Sequence, residues 1–395
     1  MRLPHAQLRR AASVALCALM AAGVMAASGC QERSGEPLRD SREALGTVVT
    51  ITTYARDDAS AQRAIDTAFE RIGQVESALS SYPDLAADPA AAASPAVGYE
   101  TTSVTQFNRD PFQWHLLPPG AAEVLERIGE LGVSEYFSPG MLRVVGLYDF
   151  EGDKTVPDPQ QLAGAVRAAR AFETSAGSTV ARFAPVGELL APLGDRSASY
   201  AAPAAGLDLS GASKGLALDE ALAILEKGRE SGEIEGAIVS AGSTTLVTGS
   251  KPDKAGSGPW QIGIEDPRDP EKVIGIVEYA NATGAASGGE ESIGTVSTSG
   301  DYQQSFVRDG VRYHHILDPR TGKPARGIRS LTVVGARTGL DSDILSTALF
   351  VMGAERAEKY ARDHDLGLFI VDEQGRTRIV PGPAGAQFSF KRSPG

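Results

Sequence analysis

Three short segments of the 395-residue chain carry residue types that do chemistry, at spacings that let them act together. Gly211-Ala212-Ser213-Lys214-Gly215 has the Gly-x-Ser-x-Gly form of a nucleophile elbow, in which a strained strand-to-helix turn exposes a serine for acyl transfer. The same residues make an anion cradle if the glycines let the backbone approach a phosphate while a helix N-terminus and Lys214 supply positive potential. They also fit a plain tight turn, and the five residues alone leave all three readings open. Asp343 and Thr347 stand four apart in a helical stretch, so a carboxylate and a hydroxyl project from one face and can share Mg²⁺ or Ca²⁺. The alternative is an exposed Asp beside a Thr bonded back to its own helix. In Tyr313-His314-His315-Ile316-Leu317 the adjacent histidines of a strand point to opposite faces, so at most one faces a given pocket and the other is structural. A neutral imidazole there can take a proton from a hydroxyl. Asp318-Pro319-Arg320-Thr321-Gly322 then reads as a turn with an acid and a guanidinium at its lip, or simply as a polar hairpin end.

The elements that must position these residues suggest an α+β fold. Thr47 to Ala55 is β-branched and reads as a strand. Ile65, Phe69, Ile72, Val75 and Leu79 recur at three- and four-residue steps after Asp57-Asp58, which predicts a helix. Further helices are expected at Pro119 to Leu131 and Pro157 to Ala169, joined by a loop carrying Tyr136, Phe137, Met141 and Tyr148-Asp149-Phe150 that should pack or bind something. A short strand at Leu207 to Leu209 is expected to lead into a helix through Leu218, Leu222 and Leu225. Strands follow at Ala237 to Ser240, Thr244 to Thr248, Trp260 to Ile264, Val273 to Tyr279 and Ser330 to Val334. Helices at Asp341 to Met352 and Ala354 to His364 precede a hairpin from Leu366 to Val380. Strands in runs with helices at the ends, without a regular βαβ repeat, fit α+β with mixed or antiparallel sheets and flanking helices.

Composition narrows the function. With 42% apolar and 22% charged residues the chain can bury a core, and 50 acidic against 38 basic side chains, a net charge of −12, argue against a nucleic-acid binder. A Walker loop, a Rossmann glycine fingerprint and a His-Glu-x-x-His motif are all absent, and five histidines, one of them in the leader, are too few for a multi-histidine metal cluster. Residues 1–29 have three arginines, no acid and an apolar stretch, the form of a secretory leader. Ala27-Ser28-Gly29-Cys30 is similar to a bacterial lipobox, so Cys30 is expected to be lipidated and to tether the domain to a membrane; an ordinary leader with a free Cys30 thiol is the alternative. Removing the leader takes the charge to −15. Residues 30–42 read as a polar tether, 43–382 as the domain, 84–103 as an Ala/Pro-rich mobile insertion and 383–395 as a tail.

Taken in order, these segments resemble the ApbE family of FAD:protein FMN transferases, bacterial flavin-transferring lipoproteins. The resemblance spans about Leu45 to Val371 and rests on Leu45-Gly46-Thr47, Leu207-Asp208-Leu209-Ser210-Gly211-Ala212-Ser213-Lys214-Gly215, Trp260-Gln261-Ile262-Gly263-Ile264-Glu265-Asp266-Pro267, Thr298-Ser299-Gly300-Asp301-Tyr302, His315 to Gly322, and Asp343 to Phe350. It implies that FAD is bound and cut with Mg²⁺ and that FMN passes to a Ser or Thr hydroxyl of an acceptor flavoprotein, with NADH:quinone reductase or related electron-transfer subunits as suspected acceptors. It implies anchoring to the inner membrane on its periplasmic side. It implies Asp343, Thr347 and the Gly211 carbonyl as metal ligands, His315 as general base, and Leu45, Tyr82, Tyr148, Asp149, Phe150, Asp208, Lys214 and Leu317 along the flavin or adenine, which reduces the nucleophilic reading of Ser213 to a remote alternative. The chain departs from the family pattern in Leu45 for Met, Tyr148-Asp149-Phe150 for Trp-Gly-Phe, and Gly242-Ser243-Thr244 for Gly-Gly-Asn. FAD hydrolysis to FMN and AMP, and non-catalytic FAD binding, are the rival readings.

Overall fold

Eight strands joined in chain order make the main sheet: β1 (Leu38–Ala44), β2 (Thr47–Ala55), β3 (Ile234–Ala241), β4 (Thr244–Gly249), β5 (Gly294–Gly300), β6 (Ile328–Val334), β7 (Gly367–Asp372) and β8 (Thr377–Pro381). Every neighbouring pair is antiparallel. The computed structural model describes residues 36–81, 103–175, 179–184, 205–253, 256–280 and 293–392. The leader, Cys30, Tyr82 and residues 84–102 of the Ala/Pro-rich stretch lie outside them. Ser103, the last residue of that stretch, opens a helix through a reciprocal capping box with Gln106.

The eight helices among the described residues are α1 (Asp58–Leu79), α2 (Val104–Arg109), α3 (Pro119–Glu130), α4 (Leu142–Tyr148), α5 (Pro159–Ala169), α6 (Ser210–Glu230), α7 (Gly339–Met352) and α8 (Ala354–Asp363). Helix α1 starts where Asp57 accepts the Ser60 amide at 2.8 Å and buries Ile65, Phe69, Ile72, Val75 and Leu79 on one stripe. Each such side chain stabilises the fold by roughly 1.5–3 kcal/mol relative to exposure.

Both faces of the main sheet are covered. Leu246, Val333, Leu368 and Ile370 join the core shared with α1, α6 and α7. Their strand neighbours Val247, Val334, Phe369 and Val371 pack instead among Trp260, Ile264, Val277 and Phe388 of a three-stranded sheet, Trp260–Asp266, Asp269–Tyr279 and Phe388–Arg392. A sheet buried on both sides needs continuous apolar runs, and β4 and β7 are buried throughout. A smaller cluster joins α4 and α5 to the hairpin of strands Ser305–Arg308 and Val311–His314.

Four expectations need correction. Leu207 to Leu209 forms no strand; it is an irregular segment whose Leu207 backbone is clasped by the Asn108 side-chain amide, at 2.7 Å from the Leu207 N–H and 2.9 Å to its carbonyl. Residues 38–42 of the supposed tether belong to β1, paired along its whole length with β2. Phe388–Arg392 of the supposed tail pairs with Asp269–Tyr279. The segment expected as a loop between α3 and α5 contains helix α4, and its Met141, Tyr148 and Phe150 pack in one buried cluster.

Candidate active site

A cleft of about 680 Å³ opens where the β1–β2 turn, the start of α6, the middle of α7 and the segment after the Val311–His314 strand meet. Its wall includes Leu45, Asp208, Gly211, Lys214, His315, Leu317, Asp343 and Thr347. These eight sequence-derived candidates, spread over three hundred residues, are thus brought together.

Helix α6 begins at Ser210, so Gly211 and Ser213 lie in its first turns. No strand feeds that turn, which removes the geometry a nucleophile elbow requires. What remains is a helix N-terminus at the cleft wall, with Asp208 accepting the Ser210 amide at 3.0 Å and Lys214 one turn inward, its Nζ 3.3 Å from the Ser210 carbonyl. Oriented N–H groups and a lysine together favour an anion in the cleft.

Asp343 is buried beside this turn. Its carboxylate accepts the Gly215 N–H at 3.0 Å and hydroxyls of Thr244 at 3.2 Å and Ser297 at 3.5 Å. Burial raises its pKa, while Lys214 and these donors pull the other way. Ser299 lies 3.3 Å from the Thr347 hydroxyl and 3.0 Å from that of Ser346, which donates to the Asp343 carbonyl at 3.0 Å. A Cβ placed on Gly211 would sit 3.9 Å from Thr347 Oγ1, so the two positions face each other. Among the described residues no group of three or more His, Cys, Asp or Glu could hold a metal ion. One buried carboxylate among neutral oxygens suits a hard divalent cation that takes its remaining ligands from water and a phosphate, the usual habit of Mg²⁺.

The two histidines diverge as their spacing requires. His314 is 1% exposed, bonds the Ala325 carbonyl through Nε2 at 2.9 Å and meets the Phe350 ring edge-on at 5.7 Å. His315 turns to the cleft, its backbone N–H held by the Gln304 carbonyl at 3.1 Å. Burial, with His314 and Lys214 nearby, pushes the His315 pKa down to about 4, so the ring is neutral at pH 7 and can accept a proton. Beyond it, the acid and guanidinium of the expected lip are spent on each other: Arg320 bonds Asp318 at 2.8 and 2.7 Å and stacks 4.9 Å from the Tyr136 ring.

Leu45 and Gly46 both have positive φ, 55° and 68°, in the tight turn between β1 and β2. The Leu45 N–H donates to Glu76 at 2.8 Å, and burial raises the pKa of that carboxylate. Glu76 lines the cleft and was missed because it reads as one more polar residue of α1. The hydroxyls around Asp343 were missed too, although Ser297 and Ser299, two apart in an otherwise buried strand, share one face and carry that signal.

Tyr148, Asp149 and Phe150 do not line the cleft. Tyr148 is buried, donates to the Gly322 carbonyl at 3.0 Å and stacks on Phe150 at 5.3 Å; Phe150 in turn packs against Phe306. Asp149 adopts a left-handed conformation, φ 48°, and accepts the Gly152 and Asp153 amides at 3.1 and 2.7 Å, a turn-forming role that an Asp fills well. The neighbouring Met141, Val145 and Glu151 reach the cleft instead.

The ApbE family model matches residues 45–370. An FAD:protein FMN transferase of Rhodobacter capsulatus is 30% identical over 286 residues, 68% of this chain and 48% of the relative, and one of Treponema pallidum is 28% identical over 328 residues, 79% and 78%. The chain therefore spans about half the length of the Rhodobacter protein. The crystal structure of an ApbE protein from Thermotoga maritima superposes with a TM-score of 0.64 at 26% identity, covering 87% of this chain and 96% of that one. The flavin transferase ApbE of Vibrio cholerae shares the fold, with a TM-score of 0.62 at 22% identity over 87% of this chain and 96% of its own.

Proposed function

Because this chain belongs to the ApbE family, we propose that it is a Mg²⁺-dependent FAD:protein FMN transferase, which cuts the pyrophosphate of FAD, joins FMN to a Ser or Thr hydroxyl of another protein and releases AMP. The observation that carries this reading is that Asp343, Thr347 and Gly211 line one wall of the same cleft as a neutral His315.

In this scheme the acceptor oxygen forms a bond to the FMN phosphorus and the anhydride bond to the AMP phosphate breaks, its electron pair leaving with AMP. The hydroxyl proton passes to His315, whose depressed pKa keeps it a base at neutral pH; such assistance contributes about 10²–10⁴-fold. Asp343, Thr347 and the Gly211 carbonyl are the oxygens that would hold Mg²⁺, and the chemistry such an ion supplies when bound is neutralisation of charge on the transferring phosphoryl group. Lys214 and the α6 N-terminus attract the phosphates, which a chain of net charge −12 must do by local means. Leu45, Asp208 and Leu317 offer the cleft surface for the flavin and adenine, with Glu76 fixing the turn that presents Leu45.

The proposal extends to a lipidated Cys30 that holds the domain outside the inner membrane. Its acceptors are then extracytoplasmic flavoproteins, NADH:quinone reductase or related electron-transfer subunits among them. Product analysis with FAD and Mg²⁺ tests the reaction. AMP that appears only with an acceptor domain supports transfer; AMP without acceptor indicates hydrolysis, and unchanged FAD indicates a binding protein.

A further inference from the structure

Helices α6 and α7 run antiparallel, and three consecutive turns of α6 face three of α7 along one seam. Gly211 faces Thr347, Gly215 donates its N–H to Asp343, and Asp219 meets the first residues of α7. At the middle turn the backbones touch: a Cβ on Gly215 would lie 2.2 Å from the Gly339 carbonyl oxygen, and one on Gly339 would lie 2.8 Å from the Gly215 carbonyl oxygen. At the far turn the two Asp219 carboxylate oxygens divide between two amides, Oδ1 accepting from Gly339 at 2.6 Å and Oδ2 from Leu340 at 2.8 Å. Thr338 takes the next amide, that of Asp341, at 3.0 Å. The opening N–H groups of α7, which have no partner within a helix, are therefore satisfied from α6 and from the cap.

Asp219 does not line the cleft, and burying a carboxylate is costly unless something specific holds it. Here the holder is the N-terminus of the helix that carries Asp343 one turn on and Thr347 two turns on. At the glycine contact the seam has one directional bond, from the Gly215 N–H to Asp343, and Asp219 adds two more at the start of α7. The bidentate carboxylate fixes where α7 begins along α6, and with that start fixed, the offset of Gly211 from Asp343 and Thr347 is fixed too.

We propose that Asp219 is a positioning residue for the metal site: it locks the register of α6 against α7 so that the Gly211, Asp343 and Thr347 oxygens converge. This rests on the metal reading above, and the test separates the two. Mn²⁺, a paramagnetic substitute for Mg²⁺, is titrated into the full chain with FAD and free Mn²⁺ is followed by electron paramagnetic resonance, for wild type, Asp219→Asn and Asp219→Ala. Circular dichroism and the thermal midpoint report folding. Loss of a supporting group of this kind weakens metal binding by about 10–100-fold. That range is expected for Asp219→Ala, with a smaller loss for Asp219→Asn, which keeps one acceptor. The Mg²⁺ concentration for half-maximal turnover should rise in parallel, with kcat at saturating Mg²⁺ much less affected. If Asp219→Ala does not fold, the milder Asp219→Asn decides. Folded variants that bind Mn²⁺ as tightly as wild type, whatever their thermal midpoint, overturn the proposal and leave Asp219 a helix cap only. A wild-type chain that binds no Mn²⁺ overturns the metal site itself and this inference with it.

Discussion

The backbone N–H of Gly215 donates to a carboxylate oxygen of Asp343 at 3.0 Å, so helix α6 directly holds the one buried acid that faces the cleft from α7. The contact exists because residue 215 has no side chain: a Cβ there would fall 2.2 Å from the Gly339 carbonyl oxygen, which belongs to backbone and cannot swing away.

Gly215→Ala should therefore push α6 and α7 apart. Overpacking of this kind costs about 1–3 kcal/mol, and the Asp343 contact should lengthen with it. A lower urea midpoint at unchanged m-value, together with a more than tenfold loss of turnover, is the expected result. Wild-type activity in the variant would show that the site tolerates the separation.

Asp343→Asn keeps an oxygen for the Gly215 amide but removes the charge. The fold should survive, with a thermal midpoint near that of wild type, while Mg²⁺-stimulated AMP release drops by roughly 10²–10³-fold, the scale seen when a group that stabilises developing charge is lost. Rate against Mg²⁺ concentration, measured for both proteins, checks it. An Asn variant that responds to Mg²⁺ as wild type does would remove Asp343 from the metal set.

Tyr148→Phe separates the sequence expectation from the structure. The hydroxyl donates to the Gly322 carbonyl within a buried cluster, so its loss should cost about 1 kcal/mol of stability. FAD affinity, measured by flavin fluorescence, should stay within about twofold, because this ring does not line the cleft. A tenfold loss of affinity with unchanged stability would return Tyr148 to the flavin site.

Acid should destabilise the protein in a defined window. Burial lowers the pKa of His314 from 6.5 to about 4, so the folded chain holds the neutral ring and the unfolded chain takes up the proton first. The resulting stability is fully present above about pH 6.5 and is lost as the pH falls towards 4, roughly 3 kcal/mol in all. Unfolding midpoints at pH 7 and pH 4.5 should differ less in His314→Gln than in wild type. Equal acid losses in the two proteins would show that His314 does not carry the effect.

Much of this architecture is legible in the sequence because its signals are local. The stripe of α1, the hairpin at the C-terminal end and the opposite facing of His314 and His315 follow from periodicities of 3.6 and 2. That Asp343 and Thr347 share one face of α7 follows from their four-residue spacing. What was not legible depends on contacts between distant segments. Two leucines either side of Asp208 suggest a short strand, but Asn108, about a hundred residues earlier, takes the backbone bonds of Leu207 and no strand pairs with it. Tyr148-Asp149-Phe150 resembles a ligand-binding aromatic motif, yet the hairpin Phe306 and Tyr313 cover it. Residues 38–42 look like a tether because all but Leu38 are polar, which suits an exposed edge strand equally well. Asp219 appears only as a polar residue of α6 until the start of α7 is laid against it.

The central claim is transfer of FMN to protein, and the intact mass of an acceptor domain after incubation with the chain, FAD and Mg²⁺ tests it most directly. The account predicts a gain of one FMN less water on a Ser or Thr, with one AMP released per acceptor modified, and loss of that gain by about 10²–10⁴-fold in rate with His315→Ala while FAD still binds. An acceptor of unchanged mass, whether FAD is hydrolysed or left intact, would contradict it.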